Sequence, residues 1–171
     1  MHAAQSRALG VAAIATALLT LLVISVLCYQ DWKHYEAAYT RIRETRRILN
    51  LNEALIDGVR DAETSQRGFL LTGRPEYLEP YRAALDHLPA ETSELASLSQ
   101  DPDRRARSLQ LQSLIATKLD ELRTTIELRQ SGQAAAALAF VQSGQGQRTM
   151  EQIRQISQQM EEAETARWQG A

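Results

Sequence analysis

Cysteine is all but missing from this 171-residue chain, Cys28 standing alone, so neither an internal disulfide nor a thiolate metal cluster can form. Turn formers are scarce as well, with four prolines and eight glycines, and Trp, Tyr and Phe together number nine. A β-rich fold needs more of all three, so the composition points to helices. Lysine occurs twice and the net charge is −2. Nucleic acid is excluded as a partner, because counterion release demands a Lys/Arg surplus on one face. The histidines His2, His34 and His87 are scattered along the chain, and neither a metal site nor a cofactor is expected of them.

What the sequence does have is one long uncharged run. No charge falls between Ala8 and Gln30, which leaves 18 Lys/Arg and 21 acids for residues 31–171. The 22 residues from Ala8 to Tyr29 would make a helix of about 33 Å, a match for a hydrocarbon core of ~30 Å. A cleaved signal peptide has a shorter apolar stretch and a small-x-small site, whereas this run ends Leu22-Val23-Ile24-Ser25-Val26-Leu27-Cys28. Leu27 before Cys28 also argues against lipidation. The organisation expected is a tail at 1–7, a single membrane span at 8–30, a helical domain at 31–168 and a tail at 169–171.

Counting basic residues gives Arg7 before the span against Lys33, Arg41, Arg43, Arg46 and Arg47 after it, which taken alone places the C-terminal domain inside the cell. Long translocated domains escape that rule, so the count does not decide the side. Tyr29, Trp32, Tyr35 and Tyr39 cluster beyond the run as an interfacial aromatic belt would.

Between Asp31 and Leu71 there is no proline and one glycine, Gly58, so the spacing predicts one helix continuous with the span. Thr72-Gly73-Arg74-Pro75 ends it. A second helix is predicted over 75–98, bent at Pro80 and Pro89, and a third over 102–131, capped by Asp101. Gly132 breaks the chain, a short helix spans 133–142, Ser143-Gly144-Gln145-Gly146 turns, and a last helix runs over 147–168. Ile48, Asn52, Leu55, Val59, Ala62, Gln66 and Phe69 alternate steps of four and three, which is the spacing of a buried seam. Ile42, Leu49, Ile56, Glu63 and Leu70 flank them every seventh residue. The third helix repeats the pattern with Gln112, Ile115, Leu119, Leu122, Ile126 and Arg129, the last with Met150, Ile153, Ile156, Met160 and Ala163. Short connections make neighbours antiparallel, so the fold expected is all-α, an N-terminal transmembrane helix continuing into an up-down-up-down four-helix bundle. The first and last helical stretches are longer than the middle two, and their excess is expected to form a two-helix stalk next to the membrane, polar enough around Gln155, Gln158 and Gln159 to seek a second copy, a homodimer.

Two blocks of sequence are more specific. Asp61-Ala62-Glu63-Thr64-Ser65-Gln66-Arg67-Gly68-Phe69-Leu70-Leu71-Thr72-Gly73 followed by Glu76-Tyr77-Leu78-Glu79-Pro80-Tyr81 resembles the third type of CHASE domain. Thr125-Ile126-Glu127-Leu128-Arg129, Gly132, Ala135-Ala136, Val141, Ser143-Gly144, Gly146, Met150 and Ile153-Arg154 resemble that family's later half, in the right order. The resemblance covers roughly residues 31–165. It implies a helical sensory module of a bacterial signal-transduction receptor of the two-component type, anchored in the cytoplasmic membrane with its C-terminal domain outside the cytoplasm. Such modules commonly precede a second span and a kinase or cyclase. This chain stops at Ala171 without either, so it is expected to be a truncated receptor or to act through a partner signalling protein. Two other readings are an anchored interaction or dimerisation protein without a small ligand, and a remnant of a sensor kinase.

No pattern of residues supports catalysis, and the chain is not expected to be an enzyme. Gly144-Gln145-Gly146-Gln147-Arg148 lacks the third glycine and the preceding strand of a dinucleotide loop. Tyr77 and Tyr81, spaced to stack on a ligand ring, read as core instead, and Gly68 as a close helix approach or a tolerated break. The residues singled out are polar ones in apolar columns: Glu63, Gln66, Arg67 and Arg129. Glu63 and Arg67 are spaced for a helical ion pair. Counted from the helix ends, Glu63 lies about 12 Å below Leu71 and Arg129 about 3 Å below Ser131, so the two are expected to share one hydrogen-bonded network. Such a network would either fix helix register or form a stimulus site.

Overall fold

The computed structural model describes the backbone of residues 2–99 and 101–169 and the side chains of 18–30, 32, 42–99 and 101–167. Every element among them is helical: α1 His2–Thr72, a 3-10 turn Pro75–Leu78, α2 Glu79–Leu98, α3 Pro102–Gln130, α4 Ala134–Gln142 and α5 Gln145–Gln169. The chain divides into two compact units, residues 1–44 and residues 45–171.

The first unit is helix throughout its described length. Leu18, Leu19, Leu21, Leu22, Val23, Ile24, Val26 and Leu27 are all exposed on it. Among the described residues no helix is long and apolar enough to cross a membrane. The side chains of 8–17, nearly half of the span expected at 8–30, lie outside the described residues, as do those of Tyr35 and Tyr39 from the aromatic cluster.

The second unit is built on the seam read from the sequence. Ile48, Asn52, Leu55, Val59, Ala62, Gln66 and Phe69 are each at most 4% exposed, so the four-three spacing on α1 marks its buried face. Of the flanking column, Leu49, Ile56, Glu63 and Leu70 are half-buried in this unit, a shoulder of the packing face and not a core column, while Ile42 falls in the first unit. On α3 the buried face is wider than one seam. Leu111, Ile115, Lys118, Leu119, Leu122, Thr125 and Ile126 are all buried, while Gln112 and Arg129 are only half-buried. The breadth follows from position, because α3 packs against α2, α4 and α5 and also meets α1. Met150, Ile153, Ile156 and Met160 of α5 complete the core.

The turns use local chemistry. Gly73, at φ 69°, lets the chain leave α1 in the left-handed region, and its N–H returns to Phe69 O at 2.7 Å. The helix expected over 75–98 begins instead as the 3-10 turn, with α2 starting at Glu79. Pro80 thereby falls in the first turn of α2, where a missing N–H breaks no bond. Pro89 does lie inside α2. Asp101 caps α3, its carboxylate accepting from Arg104 N at 2.9 Å. That N–H first, and Arg167 next, hold its carboxyl below the usual carboxylate range. Beside it, Glu164 is 2% exposed with Arg104 Nε 2.8 Å from its Oε1, and Arg167 Nη2 reaches Asp101 at 2.9 Å. The last helix starts at Gln145, two residues inside the turn expected there.

Close packing explains two of the glycines. A methyl on Gly58 would lie 2.9 Å from Leu88 Cδ2, and one on Gly68 2.5 Å from Tyr77 Cδ1. What approaches Gly68 is the Tyr77 ring of the 3-10 turn, not a neighbouring helix. Tyr77 lies over the glycine half in solvent, 45% exposed, and only Tyr81 joins the core. Ser65 Oγ donates to Tyr77 O and accepts from Tyr81 N, tying the 3-10 turn and the start of α2 to α1. Burial pushes the Tyr81 phenol above its ordinary pKa, partly opposed by Arg123.

Candidate functional site

Charge sits deep in the second unit. Lys118, at 1% exposure, heads the largest fully buried side chains. A buried ammonium must be hydrogen-bonded and paired, and it is. Its Nζ donates to Glu63 Oε1 at 3.2 Å and to Gly146 O at 2.9 Å. One lysine on α3 therefore holds α1 and the first turn of α5 together. Glu63 also accepts from Arg67 Nη2 at 2.9 Å, the i, i+4 pair expected from the sequence, with the Arg67 side chain 65% exposed.

One helical turn from Lys118, Glu121 is buried at 6% exposure. Its Oε1 accepts from Thr149 Oγ1 of α5 at 2.7 Å, while its Oε2 is buried without a hydrogen-bond partner. Next in line, Gln66 Nε2 donates to Thr125 Oγ1 at 2.7 Å, and Thr125 bonds back to Leu122 O of its own helix at 2.9 Å. All of these groups except Thr149 line a cavity of about 190 Å³, whose apolar members are Leu122, Phe140 and Val141. Phe140 and Val141 belong to α4, and Gly144, at φ 72°, turns the chain from α4 into α5. Among the described residues, no group of three His, Cys, Asp or Glu side chains could hold a metal ion.

Of the four residues singled out, Glu63, Gln66 and Arg67 line this cavity together. Arg129 does not join them. No hydrogen bond connects it to Glu63, which is engaged by Lys118 and Arg67. Its Nη2 instead lies 3.3 Å from where a side chain on Gly73 would begin, and its Nε is buried without a partner. The axial levels explain the difference. Gln66 pairs with Thr125, so Glu63, three residues lower on α1, stands near Glu121 and within reach of the long Lys118 side chain. Arg129 is another turn above Thr125, about 6 Å further along. The sequence reading missed Lys118, Glu121, Thr125 and Thr149. Lys118 and Thr125 continue a four-three spacing from Leu111 and Ile115 through Leu122, and that second column was the available signal.

The CHASE3 domain model matches residues 38–171, which take in the whole second unit. This chain belongs to the CHASE3 domain family. The fold of the CHASE3 region is also that of a solved sensor domain, from the Rhodopseudomonas palustris histidine kinase HK9. The two superpose with a TM-score of 0.67 at 30% identity, covering 74% of this chain and 99% of that one. Among curated proteins none matches the chain. The polar cavity thus lies within a CHASE3 sensory domain, with every group that lines it contributed by the matched residues.

Proposed function

We propose that this chain is the membrane-anchored, extracytoplasmic sensory module of a bacterial two-component receptor. The observation that carries the reading is the likeness to the HK9 sensor domain over 99% of that domain. In this reading residues 45–72, α2, α3 and α5 form an up-down-up-down four-helix bundle, a topology favoured by the short connections between them. The anchor is the uncharged run 8–30. Its exposed leucines, valines and isoleucine form an apolar surface larger than a helix keeps in water.

The module has no catalytic role. A stimulus shifts helices against one another, and a second copy of the chain or a partner signalling protein receives the displacement. The buried ions suit this task, since a layer bridging α1, α3 and α5 through one lysine couples any movement of α5 to α1.

Fusing alkaline phosphatase, active only outside the cytoplasm, or a cytoplasmically fluorescent protein to the C-terminus of the full chain tests the placement. Membrane-bound phosphatase activity without fluorescence is expected. Fluorescence with inactive phosphatase, or a chain that fractionates away from membranes, would overturn it.

A further inference from the structure

Of the buried side-chain polar atoms that line the cavity, one lacks a hydrogen-bond partner. Lys118 is engaged by Glu63 and Gly146 O, Gln66 by Thr125, and Glu121 Oε1 by Thr149. Glu121 Oε2 accepts nothing, on a side chain 94% buried. A carboxylate oxygen enclosed without a donor is unfavourable, and buried acceptors are nearly always satisfied. The strongest partner for it is a cationic N–H donor, whose hydrogen bond is charge-assisted.

The rest of the cavity narrows the choice. Two acids, Glu63 and Glu121, and two bases, Arg67 and Lys118, line the cavity, but both bases bond to Glu63, which leaves Glu121 as the carboxylate without a cationic partner and the group an ammonium would meet. Leu122, half-buried Phe140 and Val141, 42% exposed, offer apolar contact for a short hydrocarbon. The volume of about 190 Å³ exceeds the ~150 Å³ cavity known to accept benzene, so a compound of a few carbons fits. The outer wall is short and mostly exposed. α4 has nine residues, of which only Ala137 is buried, and it lies between Gly132 and Gly144.

Resting on the sensory reading above, we infer that this cavity is the stimulus site and that it takes a small primary ammonium compound with a short aliphatic tail. The ammonium donates to Glu121 Oε2, the tail lies against Leu122, Phe140 and Val141, and α4 with its following turn moves to admit it. Movement at Gly146 is felt by Lys118, and through Lys118 by α1.

The test titrates the purified, isotopically labelled full chain with n-butylammonium, and with n-butyrate and n-butanol as matched probes, following backbone amides by NMR. Saturable displacement of the Val141, Gly144 and Gly146 amides by n-butylammonium is expected, with Kd on the order of millimolar for so small a probe. Glu121→Gln keeps an acceptor for Thr149 and should weaken binding at least about tenfold. Gly146→Ala gives a second variant, its methyl 3.0 Å from Lys118 Nζ and 3.4 Å from Glu121 Oε2, and should block binding too. Circular dichroism of each variant separates loss of the site from loss of the fold. Absence of saturable displacement, equal response to n-butyrate, or unchanged binding by a folded Glu121→Gln would overturn the inference. A chain that fails here but is phosphatase-active at the membrane loses this site and keeps its sensory placement.

Discussion

Replacing the two ends of the Lys118–Glu63 pair separately should have unequal effects. Glu63→Leu strands an ammonium whose side chain is 2% exposed, with the Gly146 carbonyl as its remaining acceptor. Breaking a buried pair this way costs about 3–5 kcal/mol. Lys118→Met leaves Glu63 better provided, since its side chain is 15% exposed and Arg67 stays at 2.9 Å. The chief loss is then the unsatisfied Gly146 carbonyl, about 1–3 kcal/mol. Adding Lys118→Met to Glu63→Leu removes the stranded charge, so the double variant should be more stable than Glu63→Leu alone, which requires a coupling larger than the cost of Lys118→Met, about 3 kcal/mol. Urea unfolding of the full chain followed by circular dichroism reads all three, provided the m-values agree. Additivity within about 0.5 kcal/mol would mean that the two side chains do not share a buried interaction.

Three further outcomes are expected. Glu164→Ala should lower stability by about 3–5 kcal/mol in thermal unfolding, because it removes a carboxylate only 2% exposed that holds Arg104 Nε at 2.8 Å. Asp101→Ala should lower the unfolding midpoint at neutral pH. Since Arg104 N–H and Arg167 lower the folded-state pKa of Asp101 beneath its ordinary 3.8, its stabilisation is fully present above that value and fades as pH falls through the lowered one. The gap between wild type and variant, measured across an acid titration, should therefore close only at the acid end. Gly58→Ala should destabilise by about 1–3 kcal/mol despite alanine's better helix propensity, because its methyl meets the buried Leu88 at 2.9 Å. Leu88→Val should recover part of that loss in the same unfolding assay.

The buried face of α1 was legible because a seam of seven residues at four-three spacing leaves one reading, and Asn52 and Gln66 did not break it. α3 was harder. A helix covered on several sides shows two overlapping columns, and the reading took Gln112 and Arg129 with the apolar members of one while passing over Lys118 and Thr125 in the other. Lys118 looked like a surface residue because lysine usually is one. Its burial becomes intelligible only when α5 brings the Gly146 carbonyl against it. The Glu63–Arg129 pairing failed for a related reason. Counting back from helix ends sets axial level within a few ångströms, but it does not say which nearer cation will intervene. Glu121 and Thr149 are 28 residues apart, and no local pattern announces a bond at that separation.

The account holds that the second unit is a sensor whose buried polar layer controls an output. The most direct measurement joins the full chain, through a second membrane span, to the transmitter of a histidine kinase with a transcriptional reporter. Lys118→Met and Glu121→Gln, in variants shown to be folded and membrane-bound, should each shift the reporter away from the wild-type level, because each alters the link between α5 and α1. Reporter output identical in the wild type and both variants would contradict the account.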